Sequence, residues 1–308
     1  MVKLVNLYNN FNIQTLHKGS IILIGNFDGL HQGHQKLFNL ATKYKKKYSL
    51  KLGVLTFEPM PKMFFNHNLK NFRISNQQQK INLLRNFNVD FVIIKKFDKK
   101  FSKIKSIDFI KKILSKKLKA KLIFVSNNFR FGNKREGDVK QLIKYERMCN
   151  YKIIKPKPLI IKKKIISSTL IRKYLQKGKL KDANKLLNRN WSIQGYVQKG
   201  KKLGKKIGFP TANIDIKNYV LASPGVYAVE AKIEKSTKYI KGIANLGYRP
   251  TFNEKKILLE VHLFNFSRNI YNKYLTVKFL RFIRKEIKFK NVDQLKKQIK
   301  NDLLKAKK

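Results

Sequence analysis

The sequence predicts an open parallel α/β domain followed by a β-rich antiparallel domain that ends in a helix. Three observations predict it. Apolar runs alternate with helical patterns as far as Leu187, the signature of strand–helix units that feed one parallel sheet. After Asn190 the runs become short and β-rich, separated by Gly, Pro and Asn, as in a barrel or a sandwich. The tail then returns to helical spacing with Leu295, Ile299, Leu303 and Leu304. At ~150 residues per domain, 308 residues suffice for two. We expect domains at 1–187 and 188–308, with no long linker and no internal repeat.

Strands are expected at Ile21–Phe27, Leu52–Phe57, Phe91–Phe97, Leu122–Val125 and Ile153–Ile154, because each is a short apolar run. Helices are expected between them, near His34–Lys47, Gln77–Phe87, Ile107–Leu118 and Asp138–Met148. Thr169–Leu187 reads as a helical hairpin that turns at Gly178. Further strands are expected at Ile193–Val197, Val226–Ile233, Tyr239–Leu246, Leu258–Phe264 and Tyr274–Ile283, broken at Pro224-Gly225 and Pro250. The tail helix, Val292–Ala306, should pack its leucines and isoleucine on them.

Composition narrows the function classes. With 43% hydrophobic and 12% aromatic residues the chain can build cores and is not wholly disordered. A single cysteine, Cys149, excludes an internal disulfide and a Cys-rich zinc site. No apolar stretch approaches the ~20 residues of a membrane span. The opening MVKLVNLYNN lacks the apolar core of a signal peptide. A soluble cytoplasmic protein with no membrane partner is the expectation, and no feature speaks to an oligomeric state.

The formal charge is +54, from 71 Lys+Arg against 17 Asp+Glu. Clustered cations would suit a nucleic-acid binder. Here 60 of the 71 are Lys, spread along the whole chain, and only 11 are Arg, the better bidentate reader of phosphates and bases. Lys, Asn, Ile and Phe share A/T-rich codons, so biased coding accounts for the mixture. No specific nucleic-acid partner is expected.

Two constellations carry chemistry. In Gly25-Asn26-Phe27-Asp28-Gly29-Leu30-His31-Gln32-Gly33-His34, two of only five histidines stand three residues apart, between the first strand and the first helix. Gly29 and Gly33 let backbone approach a ligand. A helix N-terminus offers free N–H groups to phosphate, and imidazoles there can donate to phosphate oxygens as charge builds. A zinc pair lacks a third ligand at metal-site spacing. The second constellation is Gly200–Asn213, GKKLGKKIGFPTAN. Gly195, Gly200 and Lys201 have the glycine spacing of a Walker A loop, but Lys202 replaces the required hydroxyl and the context is not strand-to-helix. Thr211 and Asn213 instead offer the hard oxygen ligands that Mg²⁺ prefers. In Leu258–Phe264, alternation places Glu260 and His262 on one face, and Leu259, Val261 and Leu263 on the other. A carboxylate within so apolar a strand is uncommon without a partner, unless it is an exposed acid at the rim.

The HxGH pattern at His31–His34 resembles the nucleotidyltransferase superfamily, and SSTLIR at Ser167–Arg172 resembles its second signature. LTFEPMP at Leu55–Pro61, and NFRFG at Asn128–Gly132 with Gly137-Asp138, resemble the prokaryotic FAD synthetase domain. Relatives often carry glycine at the Ser126 position and aspartate at Asn128. The resemblance implies a Rossmann-like, HxGH-type parallel sheet that adenylylates FMN with ATP. It implies catalytic roles for His31, His34 and Arg172. It implies ATP contacts from Gly25, Phe27, Asp28, Gly33, Asn128, Ser167, Ser168 and Thr169.

The GxPTAN run at Gly208–Asn213 resembles the riboflavin kinase signature, as do Gly242–Phe252 and Arg284–Phe289. This implies an antiparallel barrel and a catalytic glutamate at Glu260. It implies ATP contacts from Gly200, Gly204, Lys205 (usually arginine), Gly208 and Pro210, flavin contacts from Arg284 and Glu286, and Mg²⁺ at Thr211 and Asn213. Relatives tend to carry aspartate at Asn265 and Asn269 and glycine at Asn272. Together the motifs resemble the bifunctional riboflavin kinase/FMN adenylyltransferase family. The implied substrates are riboflavin, FMN and ATP, and the products FMN, FAD, ADP and pyrophosphate. Two other readings compete: a kinase alone with a decayed first domain, and a basic RNA-binding protein. Intact His31, His34 and Arg172 argue against the first. The second wants aromatics interleaved with basic residues on one face, whereas these aromatics sit in apolar strand runs.

Overall fold

A computed structural model of the chain describes residues 5–69, 71–200, 204, 207–234, 236–250 and 255–307. The chain packs as two compact units, one of residues 1–69 and 77–167, the other of residues 70–76 and 168–308.

The strands of the first unit, in chain order, are β1 (Asn6–Tyr8), β2 (Ile21–Ile24), β3 (Leu52–Glu58), β4 (Phe91–Lys96), β5 (Leu122–Phe124), β6 (Arg130–Phe131), β7 (Gly137–Asp138), β8 (Lys152–Ile154), β9 (Ile160–Ile161) and β10 (Lys164–Ile165). Six form one parallel sheet in the order β1-β4-β3-β2-β5-β8. All four residues of β2 are buried, as expected of a strand covered on both faces. Ile22 and Ile24 pack into one core with Leu55, Ile93 and Ile123. Ile21 and Leu23 pack into the opposite core with Val54, Val92 and Phe124. The connections leave β2 towards β3 on one side, and the chain returns to β5 on the other. The carboxyl ends of β2 and β5 are therefore the topological switch point, where open sheets of this kind take their ligands.

Strand β2 stops at Ile24, three residues short of the expected end, because Phe27 turns into the left-handed region at φ 48°. The edge strand β1 is not foreseen from the sequence; its three residues pair with β4. Three helices matter below: α1 (Gln32–Lys47), α2 (Gln77–Arg85) and α3 (Val139–Lys144). The helix expected at Ile107–Leu118 forms as a turn at Ser106–Asp108 that runs into a wider π-helix, Phe109–Lys117.

In the second unit β11 (Ser192–Gln198), β12 (Ala212–Asp215), β13 (Gly225–Ile233), β14 (Ile240–Pro250), β15 (Lys255–Leu263) and β16 (Tyr274–Arg284) close an antiparallel barrel, ordered β11-β12-β15-β14-β13-β16. Closure decides between barrel and sandwich. The four residues of β12, where no strand is expected, complete the ring by pairing with β11 and β15. The interior holds Trp191, Tyr227 and Phe279, each at most 1% exposed, with their rings in contact. Trp191 Nε1 donates to the Ile74 carbonyl at 2.9 Å, so residues 71–76 pack with the barrel. Helices α4 (Ser168–Gln176) and α5 (Leu180–Leu187) form the hairpin, which turns at Gly178 with φ 70°.

The terminal helix α6 (Val292–Lys307) packs against β13, β14 and β16. Its buried line is not the expected apolar one. Leu304 is 63% exposed, Leu295, Ile299 and Leu303 are half-buried, and the fully buried residue is Asp302. The reason is an ion pair: Arg284 Nη2 lies 2.7 Å from Asp302 Oδ2, and a carboxylate is buried where its partner compensates the desolvation.

Candidate active sites

The turn after β2 builds the first candidate site. Phe27, Gly29 and Leu30 have φ of 48°, 77° and 37°, an uncommon run for non-glycine residues. It folds the Phe27 ring back over Gly25, where an added Cβ would meet the ring at 3.0 Å. Phe27 is 3% exposed and lies edge-on to His34, at 5.2 Å and 74°. It therefore forms the floor of the turn. His31 caps α1: its Nδ1 accepts from the His34 backbone N–H at 3.4 Å. In the neutral ring the proton then sits on Nε2, which is a donor. The His31 and His34 rings stack at 3.7 Å and 19°. Gly33 lies where a Cβ would press on the His31 ring at 3.2 Å. Asp28 is buried.

His34 is partly exposed, but its Nδ1 is buried and has no hydrogen-bond partner among the described residues. Burial, then the neighbouring His31 and Lys80, hold its pKa well below the usual imidazole value. It is neutral at pH 7. Lys80, which sequence reasoning missed, comes from α2 and is only 4% exposed. Its Nζ donates to Thr56 Oγ1 at 3.1 Å and to the Asn26 carbonyl at 3.3 Å. That pins the first residue after Gly25 to the TFEP strand β3, and places a cation beneath the turn.

The turn after β5 brings Ser126 and Asn128 to the end of the strand beside β2. Ser126 has no positive φ, and its hydroxyl donates to Asn128 Oδ1 at 3.0 Å. The turn closes with serine in the place of glycine, since Phe129 N donates to the Ser126 carbonyl at 3.0 Å. Asp138 acts locally and caps α3 by accepting from Gln141 N at 2.9 Å.

Ser167 ends the first unit, and Ser168, Thr169 and Arg172 lie on α4 in the second. Arg172 is oriented there by Phe72. Its guanidinium lies 3.7 Å from the Phe72 ring centroid, and Nε donates to the Phe72 carbonyl at 2.7 Å.

The barrel builds the second candidate site on its outer face. Leu259, Val261 and Leu263 point into the core at 0%, 1% and 5% exposure, while Glu260 and His262 are half-buried on the other face. Glu260 pairs with Asn213 on β12 and with Asn245 on β14, so the three side chains form one row across three strands. Asn245 lies in the Gly242–Phe252 run that resembles the riboflavin kinase signature, but sequence reasoning did not single it out within that run. Asn213 is 6% exposed, and its Oδ1 is buried with no hydrogen-bond partner among the described residues. An orphaned buried oxygen is rare without a ligand to take it. Gly200 approaches Asn213 so closely that a Cβ would lie 2.3 Å from Nδ2. Gly204 accepts from Phe209 N at 2.8 Å, and Gly208 takes φ 89°. Thr211 is half-buried between Pro210 and β12. Lys205 lies outside the described residues. No group of three His, Cys, Asp or Glu side chains able to hold a metal occurs among the described residues.

Arg284 is committed elsewhere. Its Nε and Nη2 donate to the Asp302 carboxylate at 2.7–3.0 Å, and Nη1 donates to the Lys285 carbonyl at 2.9 Å. Its guanidinium clamps α6. The Glu286 carboxylate rests against Gly247, where a Cβ would overlap Oε1. In the loop that departs from relatives, Asn265 and Asn272 have φ of 51° and 60°, which asparagine tolerates better than other side chains. Asn269 Oδ1 accepts from Tyr271 N at 3.0 Å, as in an Asx-turn.

Comparison with known proteins bears on both units. The family model for FAD synthetase matches residues 13–170, and that for riboflavin kinase matches residues 187–308. A bifunctional riboflavin kinase/FMN adenylyltransferase from Buchnera aphidicola subsp. Schizaphis graminum is 40% identical over 95% of this chain and 94% of its own. One from Haemophilus influenzae is 38% identical over 96% of each. A crystal structure described as a macrolide-efflux protein from Streptococcus pneumoniae superposes with a TM-score of 0.84 at 30% identity, over 100% of this chain and 99% of that one. Among the described residues here no helix is long and apolar enough to cross a membrane.

Proposed function

The chain belongs to the bifunctional riboflavin kinase/FMN adenylyltransferase family, and from that membership we propose how its own residues divide the two reactions. It transfers the γ-phosphate of ATP to riboflavin, giving FMN and ADP. It then lets the FMN phosphate attack the α-phosphorus of a second ATP, giving FAD and pyrophosphate. Both steps are in-line displacements governed by positioning and charge stabilisation. We place adenylyl transfer in residues 1–187 and phosphoryl transfer in residues 188–308. Because ATP is consumed in both, we place the enzyme in the cytoplasm.

In the first reaction centre His31 donates from Nε2, neutral His34 donates from its ring N–H, and the start of α1 adds backbone N–H groups towards phosphate. The resemblance alone assigns Ser167, Ser168, Thr169 and Arg172 to the β- and γ-phosphates. In the second, Glu260 takes the proton of the riboflavin 5′-hydroxyl. Thr211 and Asn213 would hold Mg²⁺; the orphaned, buried Oδ1 of Asn213 fits a hard cation. When bound, the cation neutralises phosphate charge. Glu286 is kept as a flavin contact. Arg284 keeps a flavin role only through the strand end that it anchors, because its guanidinium is paired with Asp302. The observation that carries the kinase assignment is the Asn213–Glu260–Asn245 row, which sets one acid between two amides beside the glycine loop. One incubation tests the whole reading: pure protein with riboflavin, ATP and Mg²⁺, followed by separation of the flavins. FMN and FAD are both expected. FMN alone would mean that the first centre is inactive, and no product would overturn the enzyme reading.

A further inference from the structure

We propose that His262 is a positioning residue of the kinase, which anchors the glycine-rich loop to β15 through Pro210; this rests on the kinase reading of the second unit. His262 Nδ1 lies 2.8 Å from the Pro210 carbonyl oxygen. A carbonyl has no proton to give, so Nδ1 donates, and the neutral ring keeps its proton there and its lone pair on Nε2. The ring is flanked by Phe209 at 5.8 Å and 81° and by Phe264 at 6.3 Å and 57°.

The backbone explains why a side chain is needed at this point. Pairing between β12 and β15 begins only at Ala212, opposite Val261. Proline has no N–H to extend that ladder. Upstream the loop contains Gly204 and Gly208, the latter at φ 89°, and glycine leaves a loop with more conformations to lose. The loop closes on itself, with Phe209 N donating to the Gly204 carbonyl at 2.8 Å. The His262 hydrogen bond holds the end of that closed loop, one residue before Thr211 and three before Asn213. It acts on where ATP is held, two residues along β15 from Glu260, and takes no part in proton removal through Nδ1.

The test compares three variants of the full chain: His262→Ala, His262→Asn and His262→Gln. An asparagine amide can stand in for Nδ1–H, whereas a glutamine amide reaches the position of Nε2. For riboflavin phosphorylation, His262→Ala should raise the KM for ATP about tenfold, the worth of one well-made hydrogen bond, with kcat little changed. His262→Asn should recover most of that loss and His262→Gln should not. Adenylyl transfer with FMN supplied should be unchanged in all three. Trp191, the one tryptophan, is buried in the barrel, so its emission reports whether each variant folds. If His262→Ala does not fold, the Asn and Gln variants still decide the matter. An unchanged KM for ATP in His262→Ala, equal behaviour of the Asn and Gln variants, or a loss confined to kcat would each overturn the proposal. Absence of riboflavin phosphorylation by the unmodified chain would instead overturn the kinase reading.

Discussion

The roles proposed for Glu260 and for the two histidines of the first centre rest on single atoms, so their predictions belong to the residue scale. Glu260→Gln keeps size and one acceptor oxygen but cannot take a proton at neutral pH. Kinase kcat should fall ~10²–10⁴-fold, the usual worth of a general base, with riboflavin binding barely altered and adenylyl transfer untouched. Steady-state phosphorylation with a separate binding titration checks it, and retention of more than about a third of turnover would exclude proton removal as limiting. His31→Ala or His34→Ala should lower FAD formation ~100-fold or more, the cost of one preorganised donor, and leave FMN formation near normal. Equal loss of both activities in a folded variant would refute two separate centres.

At the scale of elements, the clamp between β16 and α6 is the contact most exposed to test. Asp302 is 1% exposed and Arg284 meets it with two nitrogens. Breaking a buried pair by removing one partner leaves an uncompensated charge, at ~3–5 kcal/mol. Asp302→Ala should therefore lower the urea midpoint of Trp191 emission and expose α6 to proteolysis before the barrel unfolds. A midpoint equal to that of the unmodified chain would show that the helix is held by its apolar contacts alone.

The pH response of the first unit follows from two histidines. Burial holds His17 and His34 below the ordinary imidazole value of 6.5. Folded pKa values below the unfolded one mean that the unfolded chain binds the extra protons. Stability is then complete above about pH 6.5 and falls as the pH drops below it, each group contributing a slope of at most ~1.4 kcal/mol per pH unit. Unfolding of this unit, followed by far-UV circular dichroism from pH 7.5 to pH 5, should show that fall. A flat profile would contradict it.

For the whole molecule the dominant feature is the charge of +54. Lysines scattered over both units attract polyanions only by counterion release. RNA affinity should therefore be sequence-independent and should collapse between low and physiological salt, as read by anisotropy of two unrelated labelled RNAs. A salt-resistant complex with one of them would restore a nucleic-acid role.

The sequence by itself determined the class of each unit, the order of the motifs and which residues are candidates for the chemistry, because period, glycine placement and motif spacing are local properties. The alternation in Leu258–Phe264 already sets Glu260 and His262 outward. The tertiary structure alone decided what those residues meet. Lys80 reaches Asn26 across 54 positions, and Trp191 reaches Ile74 across 117. Asn245 joins Glu260 by strand register, and four residues of β12 turn an open sheet into a closed barrel. Arg284, which reads as a flavin contact in its own segment, is held by an aspartate 18 residues later. Such pairings leave no trace in neighbouring residues, because burial and charge compensation depend on which surfaces the folded chain brings together.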